Sequence, residues 1–211
     1  MDLTPAMTRD WVERYAAAIE ENRQYLTDLD GPIGDNDHGI NMDRGFRAVK
    51  TGLAGGNDEP IDAILKSVGM TLIRTVGGAS GPLYGTVFLR MAGAVNGRQT
   101  LDAEAVLAAL QAGRKGIVDR GKAEPGDKTM LDTWDPAIGA YEDAVKDGAD
   151  LSDAVAHATE AAEQGMKATI PLIARKGRAS YLGERSAGHQ DPGATSSYLF
   201  FKTLQAAVDN G

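Results

Sequence analysis

Leu83-Tyr84-Gly85-Thr86-Val87-Phe88-Leu89-Arg90-Met91-Ala92-Gly93-Ala94-Val95 runs between the glycine-rich stretch Gly77-Gly78-Ala79-Ser80-Gly81-Pro82 and the pair Asn96-Gly97. Leu83, Val87, Phe88, Met91 and Val95 recur at helical spacing, and the period-2 alternation of a strand is missing. The same spacing continues on both sides. Upstream, a helix near 7 to 28 turns Trp11, Tyr15, Ala18, Ile19 and Tyr25 toward one face, a second begins near Asp37 and runs to about 52, and a third follows Asp58-Glu59-Pro60. Downstream, Asp102 opens a helix ending near Asp119, and others are expected at about 129 to 147, 151 to 175 and 192 to 209, with Asp147-Gly148 and Asp191-Pro192-Gly193 as punctuation. Pro136 and Pro171 are expected to kink their helices. The expected fold is all-α, a single domain over residues 1–211 with eight helices.

Composition narrows the function classes. The 211 residues hold 30 Asp and Glu against 22 Lys and Arg, a formal net charge of -8. With no excess of cations to neutralise phosphates, neither nucleic acid nor an anionic membrane is an expected partner. An anionic ligand must then be held locally, by a metal or by backbone amides. There is no cysteine, hence no disulfide and no thiolate chemistry. Met1-Asp2-Leu3-Thr4-Pro5 lacks a basic stretch followed by an apolar run, and no apolar segment is long enough to cross a bilayer, so a cytoplasmic protein is expected.

Glycine placement points to where a ligand would sit. Glycine costs about 1 kcal/mol relative to alanine inside a helix, so the groups at 31 to 39, 77 to 85, 113 to 126, 177 to 188 and 193 mark expected connections that a bundle can gather at one end. The segment Asp30-Gly31-Pro32-Ile33-Gly34-Asp35-Asn36-Asp37-His38-Gly39-Ile40-Asn41 is the most informative, because it packs Asp30, Asp35 and Asp37 into eight residues. Carboxylates this close repel one another unless a cation joins them, and hard oxygen ligands suit magnesium or calcium. Counted from Asp35 as an EF-hand loop, position six is Ile40 where glycine is needed and position twelve is Phe46 where glutamate is needed. Magnesium with a phosphate ligand fits better; a helix-capping loop with exposed acids is the plain alternative.

Other motifs carry weaker signals. The stretch Gly77 to Gly85 offers free amides and the Ser80 hydroxyl to an anion at a helix start, or else is only a flexible connector with tight packing through Gly85. Gly116-Ile117-Val118-Asp119-Arg120-Gly121-Lys122-Ala123 nearly spells a phosphate-binding P-loop, but it ends in alanine and follows a helix, so it is rejected as one. Gly126-Asp127-Lys128-Thr129-Met130-Leu131-Asp132 places a cation and a hydroxyl at a helix start, with Met130 as an apolar surface for a planar ring. Arg178 suits phosphate and equally suits pairing with a surface acid. Of the three histidines, His157 is read as a helix-surface residue and His189 is undecided. His38 follows the acidic loop and shares a helical face with Asn41 and Gly45, which makes it a ligand candidate.

In this order the acidic block, Gly77 to Gly85, Gly126 to Asp132, Gly177-Arg178-Ala179-Ser180-Tyr181 and Asp191-Pro192-Gly193-Ala194 closely resemble the nucleotide-binding L subunit of dihydroxyacetone kinases, over almost the whole chain. The resemblance implies an antiparallel barrel of eight helices with ADP and two magnesium ions at one end. It implies magnesium ligation, and catalysis through the metals, by Asp30, Asp35 and Asp37. It implies nucleotide contacts at His38, Gly39, Ile40, Asn41, Ala79, Ser80, Gly121, Met130, Arg178, Asp191, Pro192 and Gly193. The implied partners are a phosphohistidine-carrying M subunit of the phosphotransferase system, which phosphorylates bound ADP, and a K subunit that holds dihydroxyacetone. A homodimer is left open. The alternatives are an ATP-dependent kinase subunit for dihydroxyacetone or another short ketose with exchangeable nucleotide, a non-catalytic nucleotide-bearing regulatory module, and the related domain of fatty-acid kinases, which continue into further domains.

Overall fold

The computed structural model describes residues 1–54 and 59–211, so Asp58 of the expected third helix start lies outside the described residues. Nine α-helices form among them: α1 (Pro5–Glu21), α2 (Arg23–Asp30), α3 (His38–Leu53), α4 (Ile61–Thr75), α5 (Ser80–Ala94), α6 (Ala103–Gly121), α7 (Leu131–Lys146), α8 (Leu151–Ala168) and α9 (Pro192–Asp209), with a 3-10 segment at Arg178–Ser186. Among the described residues the only β pairing is an isolated bridge between Leu3 and Leu101.

Eight of the helices close a ring. α3 packs on α4, α4 on α5, and so on to α9, which returns to α1, and α1 meets α3; the short α2 lies outside this ring against α3 and α9. Short connections make the sequence neighbours from α3 to α8 antiparallel, and across the longer α8–α9 connection the Asp191 N–H donates to Thr169 Oγ1, which sets the start of α9 beside the end of α8. The N-termini of α3, α5, α7 and α9 therefore gather at one end with the C-termini of α4, α6 and α8. The Leu3–Leu101 bridge joins the chain just before α1 to the chain just before α6, at the other end.

Aromatic side chains fill the ring. Phe200 of α9 lies 4.8–5.8 Å, centroid to centroid, from the rings of Trp11, Tyr15, Phe88, Trp134 and Phe201. Trp11 and Tyr15 also send their polar atoms to backbone carbonyls of Phe200 and Ser196. Buried Tyr and Trp need such partners.

Several expectations shift at helix ends. The first expected helix is two, broken at Asn22, whose side-chain amide donates to the Ala18 carbonyl at 2.8 Å; asparagine competes in this way with helix continuation. Tyr25 consequently faces solvent, and Leu26 takes the buried position. α5 starts at Ser80, ahead of Pro82, because proline in a first turn sacrifices no intrahelical hydrogen bond. Gly81 and Gly85 are helical packing residues: a Cβ at Gly81 would overlap the Val76 carbonyl, and one at Gly85 would reach the Gly69 carbonyl at 2.9 Å. Gly113 and Gly116 likewise lie inside α6, under Met91, Val87, Trp134, Thr86 and Arg90, and are not part of a connection. The rejected P-loop is the last six residues of α6 and the two that follow, with the helix stopped by Lys122 in the left-handed region at φ 52. α8 ends at Ala168, well short of 175, because Pro171 disfavours helical geometry in the residue before it. α7 continues through Pro136.

Candidate functional site: an acidic cleft at the end of the barrel

Where the four helix N-termini meet, a cleft of about 200 Å³ opens. Its walls come from the connections after α2, α4, α6 and α8, together with the first turns of α3, α5 and α9. Each N-terminus brings amides without intrahelical partners and the positive end of a dipole. This end of a chain of net charge -8 is thus locally suited to an anion.

One carboxylate oxygen from each of Asp30, Asp35 and Asp37 lies within 4.8 Å of the others. Asp30 is buried at the end of α2, and its Oδ2 accepts from the backbone N–H of Asp37 at 2.9 Å and of His38 at 3.2 Å. Asp30 thereby does the capping that Asp37, at the N-cap position of α3, leaves undone: the Asp37 side chain makes no capping bond. The Asp37 carboxylate is left to face the cleft. Gly34 is required for this arrangement, since a Cβ there would overlap the Asp30 carboxylate. Three oxygen donors at this spacing fit a hard cation such as magnesium, which takes few carboxylates and completes its shell with water and phosphate oxygens.

Across the cleft, Ala79 is the N-cap of α5 and has no side-chain acceptor for the first-turn amides. Gly78 takes φ 64, and the space where its Cβ would stand is open. α9 opens differently, with Asp191 Oδ2 accepting from the Ala194 amide at 2.7 Å, and with Pro192 and Gly193 in its first turn. Met130, Leu83 and Ile33 give part of the wall an apolar character. Arg178 Nη2 meets Asp35 Oδ2 at 2.9 Å, so the acid that Arg178 pairs with belongs to the cluster itself. Both side chains are substantially exposed, which keeps the pair weak.

His38 is tied at both ring nitrogens, to Ser80 Oγ at 3.1 Å through Nδ1 and to Ser196 Oγ at 2.9 Å through Nε2. One directed arrangement satisfies the whole buried chain. Trp134 Nε1 donates to Ser197, Ser197 to Tyr84, Tyr84 and His38 Nε2 to Ser196, Ser196 to the Gly193 carbonyl, and Ser80 to His38 Nδ1. Burial lowers the His38 pKa to about 4 against the pull of Asp30 and Asp37, so the imidazole is neutral near pH 7.

Of the residues singled out from sequence, Asp30, Asp35, Asp37, His38, Ala79, Ser80, Met130, Arg178, Asp191, Pro192 and Gly193 line the cleft. Four do not. Gly39 is pressed against α2, where a Cβ would strike the Arg23 carbonyl and approach the Thr27 nitrogen to 2.9 Å. Ile40 is exposed, Asn41 accepts from Arg44 at 2.7 Å beside Gly77, and Gly121 sits behind Leu83. His157 is on the α8 surface as expected. Tyr84, Leu83, Ile33, Gly34, Gly77, Gly78, Lys128, Thr129 and Lys176 also line the cleft; Gly77 and Gly78 belong to the expected anion-binding helix start, and Lys128 and Thr129 are the cation and hydroxyl expected before α7, whereas Tyr84, Leu83, Ile33, Gly34 and Lys176 were given no site role. For Gly34 the signal was its place between Asp30 and Asp35. For Lys128 the charge at a helix start was legible but its turn was not, since its φ of 63 is invisible to periodicity.

Burial raises the pKa of Asp191 to about 7, with the Ala194 amide and Lys128 opposing. Two opposed pH dependences follow. His38, at 6.5 unfolded and about 4 folded, loses its contribution as pH falls from 6.5 to about 4, because the unfolded chain then takes up a proton that the folded chain refuses. Asp191, at 3.8 unfolded and about 7 folded, loses its contribution as pH rises through that window. The two nearly cancel. Asp191→Asn keeps a competent N-cap and removes only the second, so the metal-free variant should lose about 3 kcal/mol of stability between pH 7 and 4 relative to the parent's flatter profile. Denaturant titrations in chelator across that range check it.

A helical barrel with a carboxylate cluster and converging helix N-termini at one end defines the class of protein. The DAK2 domain model matches residues 32–206, and the chain belongs to the DAK2 domain family. It is 46% identical over 208 residues to the ADP-binding subunit DhaL of the PEP-dependent dihydroxyacetone kinase of Escherichia coli (strain K12), covering 99% of both chains. It is 44% identical over 206 residues to the ADP-binding subunit DhaL of the PTS-dependent dihydroxyacetone kinase of Lactococcus lactis, covering 98% of this chain and 99% of that one. The fold matches the dihydroxyacetone kinase from C. freundii in complex with AMP-PNP and Mg2+ at a TM-score of 0.73 and 24% identity, covering 98% of this chain and 34% of that one. That likeness shows the fold.

Proposed function

We propose that residues 1–211 act as one nucleotide-binding domain, the ADP-binding subunit of a phosphotransferase-system-dependent dihydroxyacetone kinase in the cytoplasm. Bound ADP receives a phosphoryl group from a phosphohistidine-carrying M subunit and passes it to dihydroxyacetone on a K subunit. The convergence of three carboxylates and four helix N-termini on one cleft carries this reading, supported by the full-length similarity to named ADP-binding subunits.

In it, Asp30, Asp35 and Asp37 hold two magnesium ions, which neutralise and orient the terminal phosphate of an in-line transfer. The amides around Ala79 and Ser80 take phosphate oxygens, and Ser80 is aimed by neutral His38. Met130, with Leu83 and Ile33, receives the planar base. Arg178 exchanges Asp35 for phosphate. No protein nucleophile is needed.

Donor preference tests the assignment against an exchangeable-nucleotide kinase. With K and M partners supplied, phosphoryl flux to dihydroxyacetone should depend on phosphorylated M and be slow with free ATP alone. Equal rates with free ATP would favour the ATP-dependent alternative.

A further inference from the structure

Lys128 lines the cleft, yet its side chain is only 1% exposed and its ammonium is fully engaged elsewhere. Nζ donates to the carbonyls of Thr169 at 2.6 Å, Ile170 at 3.4 Å and His189. A lysine has three protons, and all three are used here. Two of the acceptors lie just past the C-terminus of α8, where orphan carbonyls favour a cation. The third lies just before α9. Residues 171–188 form the arm between these roots and carry Arg178.

The rest of the arm is held from the same side. The Gly188 N–H donates to the Ile170 carbonyl at 2.7 Å, and the Asp191 N–H donates to Thr169 Oγ1 at 3.0 Å. The Arg175 N–H donates to the carbonyl of Asp127, the neighbour of Lys128, at 3.0 Å. Ala174, Ala179 and Leu182 pack on Ile33 of the acidic loop. Arg178 then stands 2.9 Å from Asp35.

We infer that Lys128 is a positioning residue whose ammonium clamps both roots of the 171–188 arm and thereby sets where Arg178 stands over the carboxylate cluster. It acts through Arg178 and does not touch phosphate. The inference rests on the Arg178 role proposed above.

Lys128→Met keeps the aliphatic stem and removes the three donors. Hydrogen exchange on the full chain without nucleotide should then show amides of residues 170–191 exchanging about tenfold faster or more, with α1 and α5 at their parental rates. Unchanged exchange in the arm, or equal acceleration throughout the barrel, would overturn the clamp. A double-mutant cycle supplies the second readout, with Mg-ADP dissociation constants measured calorimetrically. Arg178→Ala should weaken binding about tenfold in the parent and by less than about twofold in Lys128→Met. Additive losses would mean that Lys128 affects binding independently of Arg178, and would overturn the inference. A parent chain that binds no Mg-ADP would contradict the proposed function, while the exchange rates would still decide the clamp.

Discussion

Asp37→Asn is expected to lower phosphoryl transfer by about 10²–10⁴-fold, the several kcal/mol that a metal clamp contributes to such a transition state, while changing stability by no more than about 0.5 kcal/mol. The separation follows from the division of labour in the acidic loop. The Asp37 carboxylate makes no capping bond, so the fold does not depend on its charge. Asp30 is the contrasting case, since its Oδ2 accepts both the Asp37 and His38 amides. Asp30→Ala should therefore lose activity and also about 1–3 kcal/mol of stability, the cost of leaving buried donors unpaired. Coupled assays and thermal melts on the two variants check this. Equal stability losses would mean that both acids are structural and would remove the basis for reading Asp37 as a ligand.

Phe200→Ala should produce the largest loss of stability, about 3–5 kcal/mol, the usual cost of emptying a buried aromatic site. Its ring touches aromatic side chains from α1, α5, α7 and α9, so its removal opens a cavity shared by helices from around the ring. For a chain of this length that is a fall of roughly 6–20 °C in melting temperature. The Phe200 carbonyl that receives Trp11 Nε1 is retained in the variant, so the loss reports packing. A fall of only a degree or two would mean that the barrel interior relaxes around the gap.

Helical content was legible because apolar spacing is a local property. The run from Leu83 to Val95, with Val87, Phe88 and Met91 buried as its period implies, is the clearest case. Helix ends were less legible, because competing local bonds decide them: the Asn22 side chain stops α1, and Pro171 shortens α8. Glycines misled in α6, where Gly113 and Gly116 exist to let helices approach, a tertiary reason that no local pattern carries. At the cleft, the acidic spacing and the glycine-rich starts of α3 and α5 were local signals. The roles of Lys128, Tyr84 and Ser196 were not, because each depends on partners that are distant in sequence, at 41, 112 and 158 positions' separation for Lys128–Thr169, Tyr84–Ser196 and His38–Ser196.

Native mass spectrometry of the purified chain tests the central claim most directly. The account predicts a species heavier than the apo chain by one ADP and two magnesium ions, reduced to the bare chain by Asp35→Asn combined with Asp37→Asn. A parental chain that carries no nucleotide and takes up none from added Mg-ADP would contradict it.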